Sequence, residues 1–163
     1  MRAIYLIMGL IALLQVCLDA EAAPANPSLS FYVISKDKIN DGRFIDSPEF
    51  PKLGYISDKP RLVIVRLKSV LPGTREDVLV DKEGDRTPVP KTALIIQMLP
   101  EDAKLFSELS KQVIGKRLLI MVGETPLMAP VVNSPIQTER FEISFGQKTN
   151  YDAVHEALKK LVK

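Results

Sequence analysis

The stretch of sequence that decides the fold is residues 91–122, KTALIIQMLPEDAKLFSELSKQVIGKRLLIMV. It opens with an apolar, β-branched run at 91–99 and closes with a second apolar run at 118–122. Both runs have the length and composition of buried strands. Pro100 begins a helical pattern, because proline is tolerated in the first turn, where its missing N–H is no loss. The stretch therefore predicts a strand, a helix and a strand in that order.

The predicted helix has a clear start, an apolar face and a clear end. Glu101 and Asp102 complement the positive end of the helix dipole. Adjacent residues on a helix point apart, so these two carboxylates are not expected to act as a catalytic pair. Gly115 is expected to end the helix as a left-handed cap. The apolar residues at helical spacing, which we expect to face the core, are Ala103, Phe106, Leu109 and Val113.

Further strands surround this unit and predict an α+β protein. They are predicted at 30–35, 61–70, 78–80, 127–132 and 140–145. Pro72 and Gly73 are expected to end the strand at 61–70, and residues 83–85 to form a turn. The order of elements predicts two helices packed on one face of a mostly antiparallel sheet. This arrangement is a split β-α-β relative of the ferredoxin-like fold.

The second helix is predicted to start near Asn150, with Thr149 or Asn150 as its cap. Its lysines gather at the C-terminal end, where the helix dipole favours cations, so the basic tail needs no partner. The single histidine, His155, lies beside the apolar stripe and is expected to be packed or solvated rather than catalytic. The stripe itself consists of Tyr151, Val154, Leu158 and Leu161.

Length and composition exclude several classes of protein. The chain has 163 residues, 46% of them hydrophobic and 26% charged, and a net charge of +2. These fractions exclude general disorder, and the weak charge argues against a dedicated nucleic-acid binder. One cysteine and one histidine leave too few ligands for a structural zinc site. We therefore expect a single folded domain with a small additional segment.

The N-terminus has the pattern of a secretory signal peptide. Arg2 precedes an uncharged run at 3–18, which is shorter than the roughly 20 residues of a membrane-spanning helix. Small residues at Ala20 and Ala22 predict cleavage after Ala22, and removing 22 of the 163 residues leaves 141. Cleavage after Ala23 or Ala25 and an uncleaved anchor are the alternatives. A periplasmic or secreted location follows.

Cys17 raises the alternative of a lipoprotein. Val16 is too bulky for the position where a lipoprotein signal requires a small residue, so this alternative is not favoured. Cleavage after Ala22 would remove the only cysteine, and no disulfide or thiol chemistry is expected in the mature chain. No second apolar run of membrane-spanning length follows the leader.

The chain is divided by its composition into three parts. Residues 1–22 are the predicted signal peptide, 23–60 an N-terminal extension, and 61–163 the α+β domain. The extension is expected to contain one or two strands. Its polar part, 36–59, is predicted as loop with a short strand near Tyr55, and the sequence assigns it no role.

Only one element suggests a binding role. Pro130 lies within the apolar run 127–132 and cannot donate a ladder hydrogen bond, so this run is predicted as an edge strand. An exposed edge can bind an extended peptide by strand addition. The alternative is that Pro130 protects the edge against aggregation. The candidate peptide-binding residues are Leu127, Met128, Val131 and Val132.

No motif for catalysis or for a cofactor is recognised. The glycines form no dinucleotide or phosphate loop, and no serine stands in a nucleophile elbow. Residues 81–85 resemble a calcium loop only superficially, because the glycine comes too early and the final glutamate is absent. The sequence therefore predicts no catalytic residue, no cofactor and no metal.

Several motifs are similar to those of a known family in order and spacing. They are Phe106, the run Gly115-Lys116-Arg117-Leu118, the run Ala129-Pro130-Val131-Val132, the pair Pro135-Ile136, and the closing helix with Ala153. Over about residues 61–163 this pattern resembles the head subdomain of the first periplasmic domain of SecD, part of the SecDF protein-export machinery. The resemblance implies an α+β fold, a location outside the cytoplasm and structural roles for the motif residues.

The function expected from this resemblance is binding rather than catalysis. We expect an exported, non-catalytic domain that binds protein or extended polypeptide as an accessory to export or to envelope function. One alternative is a small-molecule binder or enzyme on the same fold, with a deep pocket near His155, Glu156 or Arg140. Another is an inhibitor or partner subunit of another envelope protein.

Overall fold

A computed structural model of the chain describes residues 27–47, 50–145 and 151–163. The predicted leader with its cleavage site after Ala22, and the predicted caps Thr149 and Asn150, lie outside these residues. None of the helices within the described ranges has both the length and the apolar character needed to span a membrane.

The described residues form nine strands and two helices. In chain order they are β1 (Leu29–Val33), β2 (Gly42–Ile45), β3 (Gly54–Ser57), β4 (Leu62–Ile64), β5 (Leu67–Val80), β6 (Arg86–Met98), α1 (Pro100–Gln112), β7 (Leu118–Val122), β8 (Thr125–Met128), β9 (Arg140–Ser144) and α2 (Tyr151–Lys159). The strands form a four-stranded sheet, a three-stranded sheet and a two-stranded hairpin.

The four-stranded sheet has the order β4-β1-β7-β8 and is antiparallel throughout. β1 lies between β4 and β7, with Phe31 opposite both Leu62 and Ile120. Every residue of β7 is buried. The sequence prediction of a buried strand at 118–122 is therefore confirmed.

The hairpin of β2 and β3 covers one face of the four-stranded sheet. Ile56 of β3 packs with Leu119 and Met121 of β7, and all three side chains are buried. The short strand predicted near Tyr55 is confirmed as β3. The rest of 36–59 was expected to be loop, and that expectation is wrong at Gly42–Ile45, which pairs with β3 along its whole length. The sequence analysis missed this strand because none of its residues is fully buried, so it lacks the alternating apolar pattern of a core strand.

The single strand predicted at 61–70 is wrong, because the chain bends at Val65 and Arg66 and changes sheet. β4 belongs to the four-stranded sheet and β5 to the three-stranded one. Ile64 and Leu67 are both buried, while Val65 is 59% exposed. Residues three apart cannot lie on the same face of one strand, because successive side chains alternate between faces. The bend at Val65 and Arg66 lets both side chains pack in the same core.

The three-stranded sheet has the order β5-β6-β9, and its two long strands extend beyond β9 as a ribbon. Pro72 and Gly73 do not break the strand as predicted, and 78–80 is the end of β5 rather than a separate strand. β5 is an edge strand, where proline is tolerated.

The three prolines of the ribbon all occur in the same kind of cross-strand pair. Pro72 pairs with Leu94, and Pro88 and Pro90 pair with Val78 and Glu76. In an antiparallel pair of strands, residue pairs that exchange two backbone hydrogen bonds alternate with pairs that exchange none, and these three pairs all belong to one of the two classes. Proline, which has no N–H, fits the class that exchanges none. The turn predicted at 83–85 is confirmed, with Gly84 at φ 91°.

Helix α1 has the predicted start and apolar face, and all four predicted core residues are buried. Gly115 has the predicted left-handed φ of 78°, but the C-cap is Val113, so Gly115 ends the turn that follows the helix and not the helix itself. Phe106 meets Phe31 of β1 at a ring distance of 5.0 Å and Phe141 of β9 at 5.8 Å. This aromatic cluster therefore joins α1 to both larger sheets.

Helix α2 also packs on this core. Val154, Leu158 and Leu161 are buried as predicted. The N–H of Leu67 donates to the carbonyl oxygen of Leu161 at 2.8 Å, which ties the end of α2 to the start of β5. The predicted α+β class, with two helices against mostly antiparallel strands, is confirmed.

Candidate functional site

The predicted edge strand lies at the edge of the four-stranded sheet, but it is shorter than expected. β8 ends at Met128, and Pro130 follows it in irregular backbone. Leu127 and Val132 are buried, and Met128 is half-buried against the same core. Of the four candidate residues only Val131, at 46%, presents an exposed side chain. The apolar residues of this run therefore mainly build the core.

The chain after β8 continues to pair with the strand beside it. Val131 forms an isolated bridge with Arg117. The carbonyl oxygen of Pro130 accepts the N–H of Leu118, and that of Val132 accepts the N–H of Gly115. These bonds hold Val131 next to Arg117 with both side chains exposed.

Val131 lines an open groove of about 930 Å³. Three segments contribute to it: residues 33–37 after β1, residues 115–117 before β7, and Phe44 with residues 52–54 from the hairpin. Ile34 donates its N–H to Arg117, and Ser35 exchanges both backbone hydrogen bonds with Tyr55. The segment 33–37 is thus hydrogen-bonded to each of the other two. We call this cavity the β1-end groove.

The β1-end groove is rich in positive charge. Its cations are Lys36, Lys52, Lys116 and Arg117, and its single carboxylate is Asp37. All five side chains are exposed. Within the ranges 27–47, 50–145 and 151–163, none of the four cations forms an ion pair. The sequence analysis did not identify this site, because its cations lie far apart in the chain; the adjacent pair Lys116-Arg117 was its only local signal.

The motif residues on which the resemblance rests differ in burial: some pack in the core and others are exposed. Phe106 is in the aromatic cluster, and Ala129 packs against the cluster of Ile56, Leu119 and Met121. Pro135 is exposed, while Ile136 packs half-buried against the main core. Ala153 lies on the exposed side of α2.

The residues named for a possible small-molecule site lie outside both cavities described for this chain. His155, Glu156 and Arg140 line neither the β1-end groove nor the smaller cavity of about 470 Å³ beside the end of α2. The His155 ring stacks at 5.5 Å from that of Tyr151, and its buried Nε2 has no partner among the described residues. A hydrogen bond from Lys159 lowers the pKa of the Glu156 carboxyl. The pocket predicted near these three residues is therefore neither of the two cavities.

The acidic turn of the ribbon brings three carboxylates together. One oxygen from each of Asp81, Glu83 and Asp85 lies within 4.8 Å of the others. Asp81 Oδ1 already accepts the backbone N–H groups of Glu83 and Asp85, each at 2.9 Å. Asp81 therefore organises the turn that the sequence analysis predicted at 83–85, a role that the sequence analysis did not assign to it.

Glu101 and Asp102 lie in the first turn of α1, as predicted. Burial raises the pKa of the Asp102 carboxyl, the neighbouring Glu101 raises it further, and Arg66 acts against both. Neither residue lines either of the two cavities described above. They remain explained by the helix terminus.

Solved structures of SecDF share the fold of this chain. One is titled as the structure and function of a membrane component SecDF that enhances protein export; it is 20% identical, with a TM-score of 0.50. Another is a crystal structure of SecDF in the super-membrane-facing form, 21% identical, also with a TM-score of 0.50. Both matches cover 83% of this chain. No protein-family model matches the chain, and no curated protein sequence matches it.

The likeness is one of fold. The chain spans 62% of the first structure's chain and 18% of the second's. The predicted resemblance to SecD is therefore confirmed for the fold.

Proposed function

We propose that this protein is an exported, non-catalytic SecD-like domain that binds protein or extended polypeptide, as an accessory to protein export or envelope function. The observation that carries the proposal is the shared fold with SecDF, which enhances protein export, over 83% of the chain. The leader pattern at 1–22 supports the location.

Two features of the described surface support the proposed binding role. The β1-end groove is open and lined by both cationic and apolar side chains. β8 adds a sheet edge with no further strand on its outer side in the part of the chain that the structure describes. Both are features on which an extended chain can lie.

The export step is tested with the full chain carrying a C-terminal affinity tag and its own leader. We expect the tagged protein in the periplasmic fraction, with an intact mass that corresponds to cleavage after Ala22. A chain that keeps the leader and stays in the cytoplasm would contradict the proposed location. Replacing several apolar residues of 4–16 with charged ones is the matched control, which must abolish export.

The binding step is tested with the exported protein and one secretory protein in two states. Reduced, iodoacetamide-blocked α-lactalbumin is the unfolded probe, and the native disulfide-bonded form is the folded control. Photo-crosslinking should capture the unfolded probe in preference to the folded one. Equal capture of both forms, or capture no better than by an unrelated domain of similar size, would refute polypeptide binding.

A further inference from the structure

The β1-end groove offers an excess of cations that the fold itself does not use. Lys36, Lys52, Lys116 and Arg117 line the groove with a single carboxylate, Asp37, and no ion pair involves any of the four in the described ranges. Other exposed cations of the chain do find partners, as Arg43 does with Glu124 at 3.1 Å. Like charges facing one cleft focus a positive potential there. The groove is therefore complementary to an anionic ligand.

Apolar surface lies between these charges. Phe44 and Val131 are each 46% exposed, although large apolar side chains such as these are more often buried. Phe44 is supported from behind by Tyr55, at a ring distance of 4.9 Å, so its ring is held in place. The backbone pairing of Val131 with Arg117 fixes an apolar group beside a cation. A ligand that fits both features carries negative charges and apolar side chains within one short segment.

We propose that the β1-end groove binds an extended polypeptide segment in which acidic residues alternate with apolar ones. This inference rests on the proposed function and names the class of segment that it binds. Acidic side chains pair with the four cations, and the interspersed apolar side chains cover Phe44 and Val131. The volume of about 930 Å³ is in the range of sites that enclose small ligands or a few residues of a chain. A nucleic acid is the less suitable occupant, because the net charge is only +2 and the groove is partly apolar.

The probes are three short, fluorescein-labelled peptides of equal length. The first alternates glutamate with leucine and valine, the second replaces each glutamate by lysine, and the third replaces each apolar residue by serine. Fluorescence anisotropy with the exported protein measures their affinities at low and at physiological salt. We expect the acidic, apolar peptide to bind at least ~10-fold more tightly than either of the others, with affinity falling as salt rises.

The variant that tests the groove is Lys116→Glu combined with Arg117→Glu. Both side chains are exposed and outside the core, so the fold should be retained. Its matched control, with the same change in net charge, is Lys82→Glu combined with Lys104→Glu, which are exposed residues that do not line the groove. If the double variant does not fold, the single variants Lys36→Glu and Val131→Ser are tested in its place.

The results separate this inference from the proposed function. The groove variant should lose at least ~10-fold affinity for the acidic peptide and gain affinity for the lysine peptide, while the control keeps the wild-type preference. Equal binding of acidic and lysine peptides, or equal loss in both double variants, would overturn the groove assignment. So would a labelled single-stranded oligonucleotide that binds as tightly as the acidic peptide. If unfolded α-lactalbumin is still captured in those cases, the proposed function stands without this site; if it is not, both fail.

Discussion

The side-chain oxygen of Ser110 accepts a hydrogen bond from the backbone N–H of Ile136 at 2.8 Å. The same hydroxyl donates to the carbonyl oxygen of Ser107 at 2.7 Å. Ser110 is fully buried on α1, and Ile136 follows Pro135 in the irregular segment between β8 and β9. A serine that looks like an ordinary helix residue in the sequence therefore fixes the path of a distant loop.

We expect Ser110→Ala to lower the free energy of unfolding by about 1–3 kcal/mol, because the partly buried N–H of Ile136 loses its acceptor. Urea unfolding followed by circular dichroism measures the change. Ser107→Ala is the matched control, since it keeps the carbonyl oxygen that Ser110 uses. Equal stability of Ser110→Ala and the control would show that water or another group replaces the hydroxyl.

The hairpin of β2 and β3 should be an integral part of the folded domain. Ile56→Ala removes a fully buried side chain that packs on Leu119 and Met121, and we expect it to cost about 2–5 kcal/mol. Val63→Ala, on the exposed side of β4, should cost less than about 1 kcal/mol. Thermal unfolding as a single transition in both variants is also expected. A separate early transition in wild type would show instead that the hairpin unfolds independently.

Two glycines with positive φ should differ in their tolerance of alanine. A Cβ at Gly54, φ 132°, would lie 2.5 Å from the carbonyl oxygen of Ser35, whereas one at Gly115, φ 78°, would meet nothing within 4 Å. Gly115→Ala should therefore cost only the backbone strain, about 1–2 kcal/mol. Gly54→Ala should cost more, because the pairing of Ser35 with Tyr55 must shift as well. Chemical denaturation of the two variants decides the order, and a larger loss for Gly115→Ala would contradict it.

The ribbon of β5 and β6 should contain a pH-dependent contact. A hydrogen bond from Lys91 lowers the pKa of the Asp77 carboxyl, against a smaller effect of desolvation, and the charges of Lys91 and Arg75 lower it further. Because the folded pKa is depressed, this contact stabilises the ribbon above the unfolded pKa of Asp77. That contribution is lost as the pH falls through the folded pKa.

The Asp77 titration can be followed by NMR in wild type and in Lys91→Gln. We expect the variant to raise the Asp77 pKa toward its ordinary value, because the hydrogen bond is its largest cause. Lys82→Gln, at the exposed turn of the same ribbon, is the control and should leave the Asp77 pKa unchanged. An unchanged pKa in Lys91→Gln would mean that solvent already screens the contact.

The elements with strong local patterns could be predicted from the sequence. The start and apolar face of α1, the left-handed Gly115, the position of β9 and the stripe of α2 depend on neighbouring residues only, and all are confirmed. The local rule that a proline ends a strand failed at Pro72, because Pro72 lies within the edge strand β5 and does not interrupt its pairing with β6.

The β1-end groove could not be predicted, because its residues come from parts of the chain that no local pattern relates. Lys36 and Lys52 lie in a region that was assigned no role, and Arg117 was noted only as part of a motif. Their common position depends on the hydrogen bonds of Ile34 and Ser35 to two separate segments.

The sequence by itself determined the α+β class and most element positions of this protein, because periodicity, helix ends and turns are set by residues that are close in the chain. Only the tertiary structure decided that β1 lies between β4 and β7, and that the chain changes sheet at Val65 and Arg66. It also decided which cations share the groove. Strand pairing depends on which distant apolar faces bury one another, and that choice is made by the packing of the whole core rather than by any local preference.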